Sequence, residues 1–404
     1  MAVNRGGRHY WFAENLKKQG YEPVIFCANT FHSERDPVDL GQGKCKVEHI
    51  EGIPFIYVKT KPYVGNGISR VRNMLLFYKN LFPVAKSYAK RHGKPDVIIA
   101  SSVHPLTMVA GIKSARRFGV PCICEVRDLW PESIIEFGGL PRDTILMKIL
   151  FRGERWIYEN ADRLIFTMEG GKDYIEDKGW SIGTGGVIDL NKVYHINNGV
   201  NLELFDASRI ENPYTDDDLD DPNYFKFVYA GSIRKANNLE RIVDAARYLP
   251  KESRIKIIIF GDGDERSLLE KKCVQEGISN IVFKGKVEKR FIPSIVGRAD
   301  ANILNYPNHD IWKYGGSQNK VFEYLAAGKP ILSTIDMGYD IIDGHNAGIV
   351  LKEQDPATIA RAMEGLASMA SDEYTAMGLR ARNVAQQYDF KVLTNKLIEC
   401  IESV

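Results

Sequence analysis

The stretch GGSQNKVFEYLAAGKPILS, residues 315–333, predicts a helix set between two strands. It follows an apolar run at 301–305 and a glycine loop, and Ser317 is a residue type that commonly caps the N-terminus of a helix. Gly328 and Pro330 end the helix, and a second apolar run follows them. In such a strand–helix–strand unit the helix N-terminus lies at the carboxyl edge of a parallel sheet, where anions bind.

Two charged residues, Lys320 and Glu323, stand three positions apart in this helix. The apolar residues predicted to form its buried side are Val321, Phe322, Tyr324 and Leu325. Lys320 adds a cation beside the helix end at Ser317, which suits a phosphate. Glu323 could accept two hydrogen bonds from the vicinal hydroxyl groups of a ribose. The alternative is an ordinary ion pair between Lys320 and Glu323 on the helix surface.

The run NK-x-FEY-x-AAGKP, which begins at Asn319, resembles the nucleotide-binding helix of family 4 retaining glycosyltransferases. The resemblance is strongest to bacterial surface-polysaccharide and fucosamine-type transferases. Two glutamates separated by seven residues are typical of the wider family, and Glu323 matches the second of them, whereas Gly315 stands at the position of the first. The resemblance implies an α/β protein with the GT-B fold, in which two Rossmann-like domains face each other across a cleft.

The length of 404 residues is enough for two α/β domains of comparable size. We expect an acceptor-side domain at 1–205 and a nucleotide-sugar domain at 206–404, with a last helix at about 390–403 that packs back on the first domain. The chain opens with a loop, a helix and a strand, whereas relatives open with a strand. We therefore expect the gene to encode a further strand upstream of Met1.

Candidate residues of the first domain lie where helices begin and strands end. The pair Gly6-Gly7 precedes the first helix, and by resemblance it lets the backbone approach the donor phosphate or the acceptor; a plain tight turn is the alternative. Arg127 and Asp128 follow an apolar run at 121–126, in the string RDLWP. That string resembles the same transferase group at a place where other members carry His-Asp, which implies catalytic and acceptor-side roles. The alternative is that Asp128 caps the next helix.

Candidate residues of the second domain fall into three sets. The first phosphate loop, by its position after a strand, contains Gly231, Ser232, Arg234 and Lys235. Relatives hold the nucleotide base by backbone groups at a position matched here by Gly285 and Val287. The nucleotide-binding helix contributes Ser317, Asn319, Lys320 and Glu323. The lone Gly261-Asp-Gly263 is interpreted as a structural turn.

The segment 59–95 contains nine Lys and Arg residues and no acidic residue. Apolar residues alternate with these cations, among them Phe77, Tyr78, Leu81 and Phe82. Basic amphipathic segments bind anionic membrane surfaces, and the alternative is a solvated helix packed on its own domain. No nucleic-acid motif accompanies it, and the net charge of +2 favours no nucleic-acid partner. The acidic run at 215–222 is interpreted as a break between domains and not as a metal site.

We therefore expect a metal-independent retaining glycosyltransferase that has no cofactor and uses a UDP-sugar as donor. The expected sugar is a hexosamine or deoxyhexosamine, and the expected acceptor is a membrane-linked glycan. Lys235 and Lys320 would stabilise the departing diphosphate. Six scattered cysteines and the lack of a long apolar run fit a cytoplasmic protein on the inner face of the membrane. The alternatives are a nucleotide-sugar 2-epimerase of the same architecture and a non-enzymatic sugar-binding protein.

Overall fold

The computed structural model of the protein describes residues 7–31, 36–63, 65, 67–102, 104–250 and 252–404. The chain forms two compact units, Asn198–Val392 (unit 2) and Met1–Asn197 together with Leu393–Val404 (unit 1). The boundary expected from the sequence, after 205, lies eight residues later than this division. Gly6 lies outside the described residues, and the strand expected upstream of Met1 stays a prediction.

Unit 1 contains two sheets with helices packed on them. The first has the strand order β1 (Ile25–Ala28), β3 (Ile53–Val58), β2 (Cys45–Ile50), with β1 parallel and β2 antiparallel to β3. The second is parallel, in the order β4 (Ile98–Ser101), β5 (Cys122–Val126), β6 (Arg163–Phe166), β7 (Val193–His195). The helices are α1 (Arg8–Lys18), α2 (Ile68–His92), α3 (Pro105–Phe118), α4 (Trp130–Gly138), α5 (Ile145–Asn160) and α6 (Gly171–Asp177).

Unit 2 is built on one parallel sheet of six strands. Their spatial order is β10 (Ile281–Gly285), β9 (Ile255–Phe260), β8 (Phe225–Ala230), β11 (Ala301–Leu304), β12 (Ile331–Ser333), β13 (Gly348–Val350). Numbered within the unit this is 3-2-1-4-5-6, the order of a Rossmann fold, and the direction of winding reverses between β8 and β11. Ligands of such sheets bind at the carboxyl ends of these two strands.

The helices of unit 2 cover both faces of this sheet. They are α7 (Leu202–Glu211), α8 (Asp217–Asp220), α9 (Glu240–Ala246), α10 (Arg266–Glu276), α11 (Ile292–Arg298), α12 (Asn319–Ala327), α13 (Ile341–Gly344), α14 (Pro356–Ala367) and α15 (Ser371–Gln387). In β9, Ile258 and Phe260 belong to one buried cluster while Ile257 and Ile259 belong to another, because successive strand residues point to opposite faces. The last helix, α16 (Phe390–Glu402), groups with unit 1 from Leu393 onward.

The strand–helix–strand element that contains residues 315–333 forms as predicted. All four apolar residues expected on its buried side are buried, Gly328 ends α12 in the left-handed conformation with φ 67°, and β12 begins at Ile331. The predicted cap is wrong, because α12 begins at Asn319 and Gln318 holds the cap position without a side-chain bond. Ser317 lies one residue earlier, and its carbonyl oxygen accepts a hydrogen bond from Asn198 Nδ2 at 2.7 Å.

The interpretation of 215–222 as a break between domains is also wrong. The run lies inside unit 2, where Asp216 caps α8 and Leu219 is buried. Asp218 pairs with Lys256 of β9 at 2.8 Å and with Lys284 of β10 at 2.6 Å. The acidic run therefore binds the basic residues of two neighbouring strands, which its composition alone does not show. No helix in the described part of the chain is long and apolar enough to cross a membrane.

Candidate functional site

Glycine turns follow three neighbouring strands at the carboxyl edge of the unit 2 sheet. Gly231 follows β8, Gly261 follows β9, and Gly285 ends β10. The Gly231 amide donates to the carbonyl of Phe260 at 2.8 Å, and the Gly261 amide donates to the carbonyl of Gly285 at 2.7 Å. A Cβ on Gly261 would lie 1.7 Å from the Gly231 oxygen, so the two turns pack backbone against backbone. This confirms the structural interpretation of the Gly261 turn.

Lys320 reaches from α12 to the turn after β8. Its Nζ donates a hydrogen bond to Tyr229 Oη at 2.6 Å and lies 4.3 Å from the centre of the Tyr229 ring. Tyr229 Oη in turn donates to the carbonyl of Ser232 at 2.8 Å. A Cβ on Gly231 would lie 2.2 Å from Lys320 Cε, so the glycine leaves the space that this side chain occupies. Burial lowers the pKa of Lys320 to about 8. A cation held at the switch point of the sheet is placed to bind a phosphate.

Glu323 lies half-buried on the same helix. Within the described residues no hydrogen bond or ion pair engages its carboxylate, so the predicted alternative of a Lys320–Glu323 surface pair is wrong. Burial raises the pKa of Glu323, and the charges of Lys289 and Lys320 oppose that rise. Lys289 follows β10 by a few residues, in the segment that also contains Gly285 and Val287. The carboxylate is therefore available to a ligand near the ends of β8 and β10.

Side-chain amide and hydroxyl groups hold the loop after β8 in place through hydrogen bonds. Asn305, directly after β11, donates from Nδ2 to the carbonyls of Asn237 at 2.6 Å and Asn238 at 2.8 Å. Thr334, directly after β12, donates from Oγ1 to Asn305 Oδ1 at 2.5 Å. Ser232 Oγ donates to Asn237 Oδ1 at 2.9 Å. Arg234 and Lys235 are exposed on this loop, so both cations face solvent at the edge of the sheet.

Three contributors to this arrangement were not predicted from the sequence, namely Tyr229, Asn305 and Thr334. Asn305 and Thr334 carry a usable signal, because each is a polar residue directly after an apolar strand. Tyr229 carries no such signal, because aromatic residues are common in strands and usually belong to the hydrophobic core.

Arg127 and Asp128 lie in unit 1, after the end of β5. The Arg127 amide donates to Ser102 Oγ at 2.8 Å, and its buried Nε has no partner within the described part of the chain. Asp128 reaches solvent; partial burial raises its pKa, and Arg127 and Arg70 oppose the rise. The alternative that Asp128 caps the next helix is wrong, because Leu129 holds the cap position of α4 and no side chain caps it.

Gly7 lies immediately before α1 in the same unit. Its φ of 106° is a conformation that favours glycine, and its carbonyl accepts hydrogen bonds from the amides of Tyr10 at 3.0 Å and Trp11 at 3.1 Å. The tight-turn alternative for Gly7 is thus present in the structure. The candidate residues therefore lie in two places, one at the sheet edge of each unit.

The Rossmann sheet of unit 2, with a cation and a free carboxylate at its switch point, is typical of a nucleotide-binding domain. Two family models match the chain: "Glycosyl transferase 4-like domain" over residues 7–183 and "Glycosyl transferases group 1" over residues 224–369. The protein is thus a glycosyltransferase of the α/β class with the GT-B fold of two Rossmann-like domains. It belongs to the family 4 glycosyltransferases, which the motif around Lys320 predicted.

Three relatives illustrate the likeness. The probable glycosyltransferase WbjE of Pseudomonas aeruginosa is 23% identical over 337 residues, which cover 81% of this chain and 78% of that protein. The structure of HepE from Anabaena in complex with UDP and glucose has a TM-score of 0.64 at 14% identity and covers 99% of this chain and 97% of its own. WaaG, a glycosyltransferase involved in lipopolysaccharide biosynthesis, has a TM-score of 0.65 at 14% identity, with 98% and 95% covered.

Proposed function

We propose that this glycosyltransferase moves a hexosamine or deoxyhexosamine from a UDP-sugar to a membrane-linked glycan acceptor, with retention of configuration and without a metal ion. The observation that carries the donor assignment is Lys320, held by Tyr229 at the switch point of the unit 2 sheet. The solved HepE structure with UDP and glucose supports a uridine nucleotide. The involvement of WaaG in lipopolysaccharide biosynthesis supports a surface-glycan product.

The donor would bind along the carboxyl edge of that sheet. The diphosphate would meet Lys320 and the uncapped amide groups at the start of α12, with Lys235 and Arg234 approaching from the exposed loop. Glu323 would accept the two ribose hydroxyls, and the backbone at Gly285 and Val287 would contact the base. Asn319, exposed in the first turn of α12, would line the same edge. This arrangement supplies cations and helix amides where a metal ion would otherwise neutralise the diphosphate.

The chemistry then follows from where charge develops. The bond between the anomeric carbon and the diphosphate oxygen breaks, and the departing diphosphate gains negative charge that Lys320 and Lys235 stabilise. The acceptor hydroxyl forms the new bond on the face that the diphosphate leaves, and its proton passes to a diphosphate oxygen. Asp128 and Arg127 of unit 1 would bind the acceptor.

The membrane contact would be made by α2, but not through the apolar residues that the sequence indicated. Phe77 is buried in unit 1 and Leu81 packs beside it, while Tyr78 Oη accepts a hydrogen bond from Lys113 and Phe82 lies under Arg117. Phe77 is therefore a core residue and the other three are half-buried against unit 1, so these four side chains do not form the most exposed apolar surface of α2.

A different face of α2 remains available. Ile68, Val71 and Leu75 are at least half exposed and recur at helical spacing, and Arg72 and Lys79 are exposed on the same helix. Apolar residues flanked by cations are what an anionic, cytoplasmic membrane face would bind. We assign the membrane contact, and the location on the inner face of the cytoplasmic membrane, to this surface.

The test is a comparison of nucleotide-sugars. UDP and UDP-hexosamines should raise the melting temperature more than the guanosine, adenosine and thymidine equivalents, because a ligand that binds only the folded state stabilises it. The preferred UDP-sugar is then incubated with lipid-linked glycan, and the anomeric configuration of the product is read by NMR. Stabilisation by another nucleotide in place of UDP would overturn the donor assignment. Release of a free epimerised sugar without acceptor would instead show a 2-epimerase.

A further inference from the structure

Unit 1 contains a buried carboxylate that no step above uses. Glu125 lies near the end of β5, and only 3% of its side chain is exposed. Its Oε1 accepts from Arg8 Nε at 2.7 Å, and its Oε2 accepts from Ser101 Oγ at 2.6 Å. Arg8 also donates to the carbonyls of Ile196 and Asn197, just after β7. The cluster therefore joins the start of α1 to the carboxyl ends of three strands.

His9 is the outermost member of this cluster. Its Nε2 lies 2.8 Å from Glu125 Oε2, and 21% of its side chain is exposed, against 3% for Glu125. Burial acts to raise the pKa of Glu125, but the charges of Arg8 and Arg127 and the hydrogen bond from His9 hold it well below its ordinary value. An ionised carboxylate only accepts hydrogen bonds, so Nε2 of His9 must carry the hydrogen.

This fixed orientation leaves the second ring nitrogen for another partner. In its neutral form, with Nε2–H directed at Glu125, the imidazole presents a lone pair at Nδ1, which accepts hydrogen bonds. No residue in the described ranges bonds to Nδ1. A buried carboxylate that orients a partly exposed histidine is the arrangement by which proteins hold an imidazole ready for a ligand.

We propose that His9 Nδ1, oriented by Glu125, accepts a hydrogen bond from a hydroxyl group of the acceptor sugar. The position supports this, since the cluster lies at the carboxyl edge of the β4–β7 sheet, where open α/β sheets bind ligands. Arg127 Nε, buried and without a partner in the described ranges, follows the same strand end. The inference rests on the proposed function, because it takes unit 1 to bind the acceptor.

Two substitutions of His9 distinguish the roles of its two ring nitrogens. His9→Gln can still donate to Glu125 from its amide but has no acceptor at the place of Nδ1. His9→Asn keeps a carbonyl oxygen near the place of Nδ1 but does not reach Glu125. In both variants Arg8 and Ser101 still satisfy Glu125, so we expect both to fold. Thermal melting of each variant against the parent checks this.

The probes are the octyl glycosides of glucose and N-acetylglucosamine, with the best UDP-sugar as donor. For His9→Gln we expect the KM of the glycoside to rise about tenfold, as for one lost neutral hydrogen bond, with His9→Asn closer to the parent. The KM of the donor and the rate of UDP-sugar hydrolysis without glycoside should not change in either variant. An unchanged glycoside KM in His9→Gln, or an equal loss of donor hydrolysis, overturns the proposal.

A second measurement does not depend on transferase activity. The ¹⁵N resonances of the His9 ring in the parent should show the neutral form protonated at Nε2, and adding octyl glycoside should shift the Nδ1 resonance. A ring protonated at Nδ1, or an Nδ1 resonance that the glycoside does not move, contradicts the role of His9. If the parent transfers no sugar from any UDP-sugar, the proposed function fails, and these resonances alone decide whether His9 binds a sugar hydroxyl.

Discussion

Replacing Lys320 by Met removes the amine that lies against the Tyr229 ring and keeps a side chain of similar shape. In the free protein, burial lowers the pKa of this amine to about 8. In the proposed complex, the diphosphate would place negative charge beside the amine and favour its protonated form, so the pKa should rise towards its ordinary value. Binding of UDP above pH 8 must therefore take up a proton.

The size of the proton uptake and of the pH dependence follows from the pKa of Lys320. At pH 8.5, about three quarters of the Lys320 amines of the free protein are deprotonated, so UDP binding should take up about 0.75 protons. The affinity for UDP should fall by about tenfold per pH unit above pH 8, and should be level between pH 7 and 7.5 apart from the titration of UDP itself. At pH 7, Lys320→Met should weaken UDP binding by about 1.5–3 kcal/mol, the range for a hydrogen bond to a charged group.

The assay is calorimetric titration with UDP at several pH values, in pairs of buffers that differ in their heat of ionisation. The matched control is Lys329→Met, because Lys329 is also half-buried with a pKa lowered by burial, yet it lies beyond the far end of α12. This control should keep the proton uptake and the pH dependence of the parent, whereas Lys320→Met should lose both. The reasoning is refuted if the parent binds UDP equally well at pH 7.5 and 9.5, or if Lys320→Met retains the parent's slope.

Three further predictions concern the ribose, the metal and the membrane. Glu323→Ala should weaken UDP binding by about 1.5–3 kcal/mol and leave binding of a UDP analogue without ribose hydroxyls unchanged; an equal loss for both nucleotides would contradict the ribose contact. Transferase activity should survive EDTA, since lysines and helix amides neutralise the diphosphate, and loss with EDTA that manganese or magnesium restores would disprove this. Binding to phosphatidylglycerol vesicles should fall steeply between 0.05 and about 0.5 M salt and should be lost when Arg72, Lys79 and Lys86 are all replaced by Gln, with UDP binding kept. Equal sedimentation of this variant and the parent with such vesicles would exclude α2 as the contact.

Local pattern in the sequence determined the secondary structure of unit 2 and the position of α12, the helix proposed to bind the nucleotide. The spacing of Val321, Phe322, Tyr324 and Leu325 defines one helix face, and Gly328 supplies the left-handed residue that ends the helix. These features depend on neighbours a few residues away, which is why they can be predicted from the chain. The NK-x-FEY-x-AAGKP run likewise indicated the family before any fold was known.

Tertiary structure decided which groups meet. Lys320 bonds to Tyr229, 91 positions away, and His9 bonds to Glu125, 116 positions away, and no local period encodes such pairs. The same limit applies to α2, where amphipathic spacing identified apolar residues but not the ones that unit 1 covers. Burial depends on what packs against a side chain, so Phe77 became core while Ile68 stayed exposed. The sequence thus determined the elements and their edges, and the packing of distant strands selected the side chains that form the candidate site.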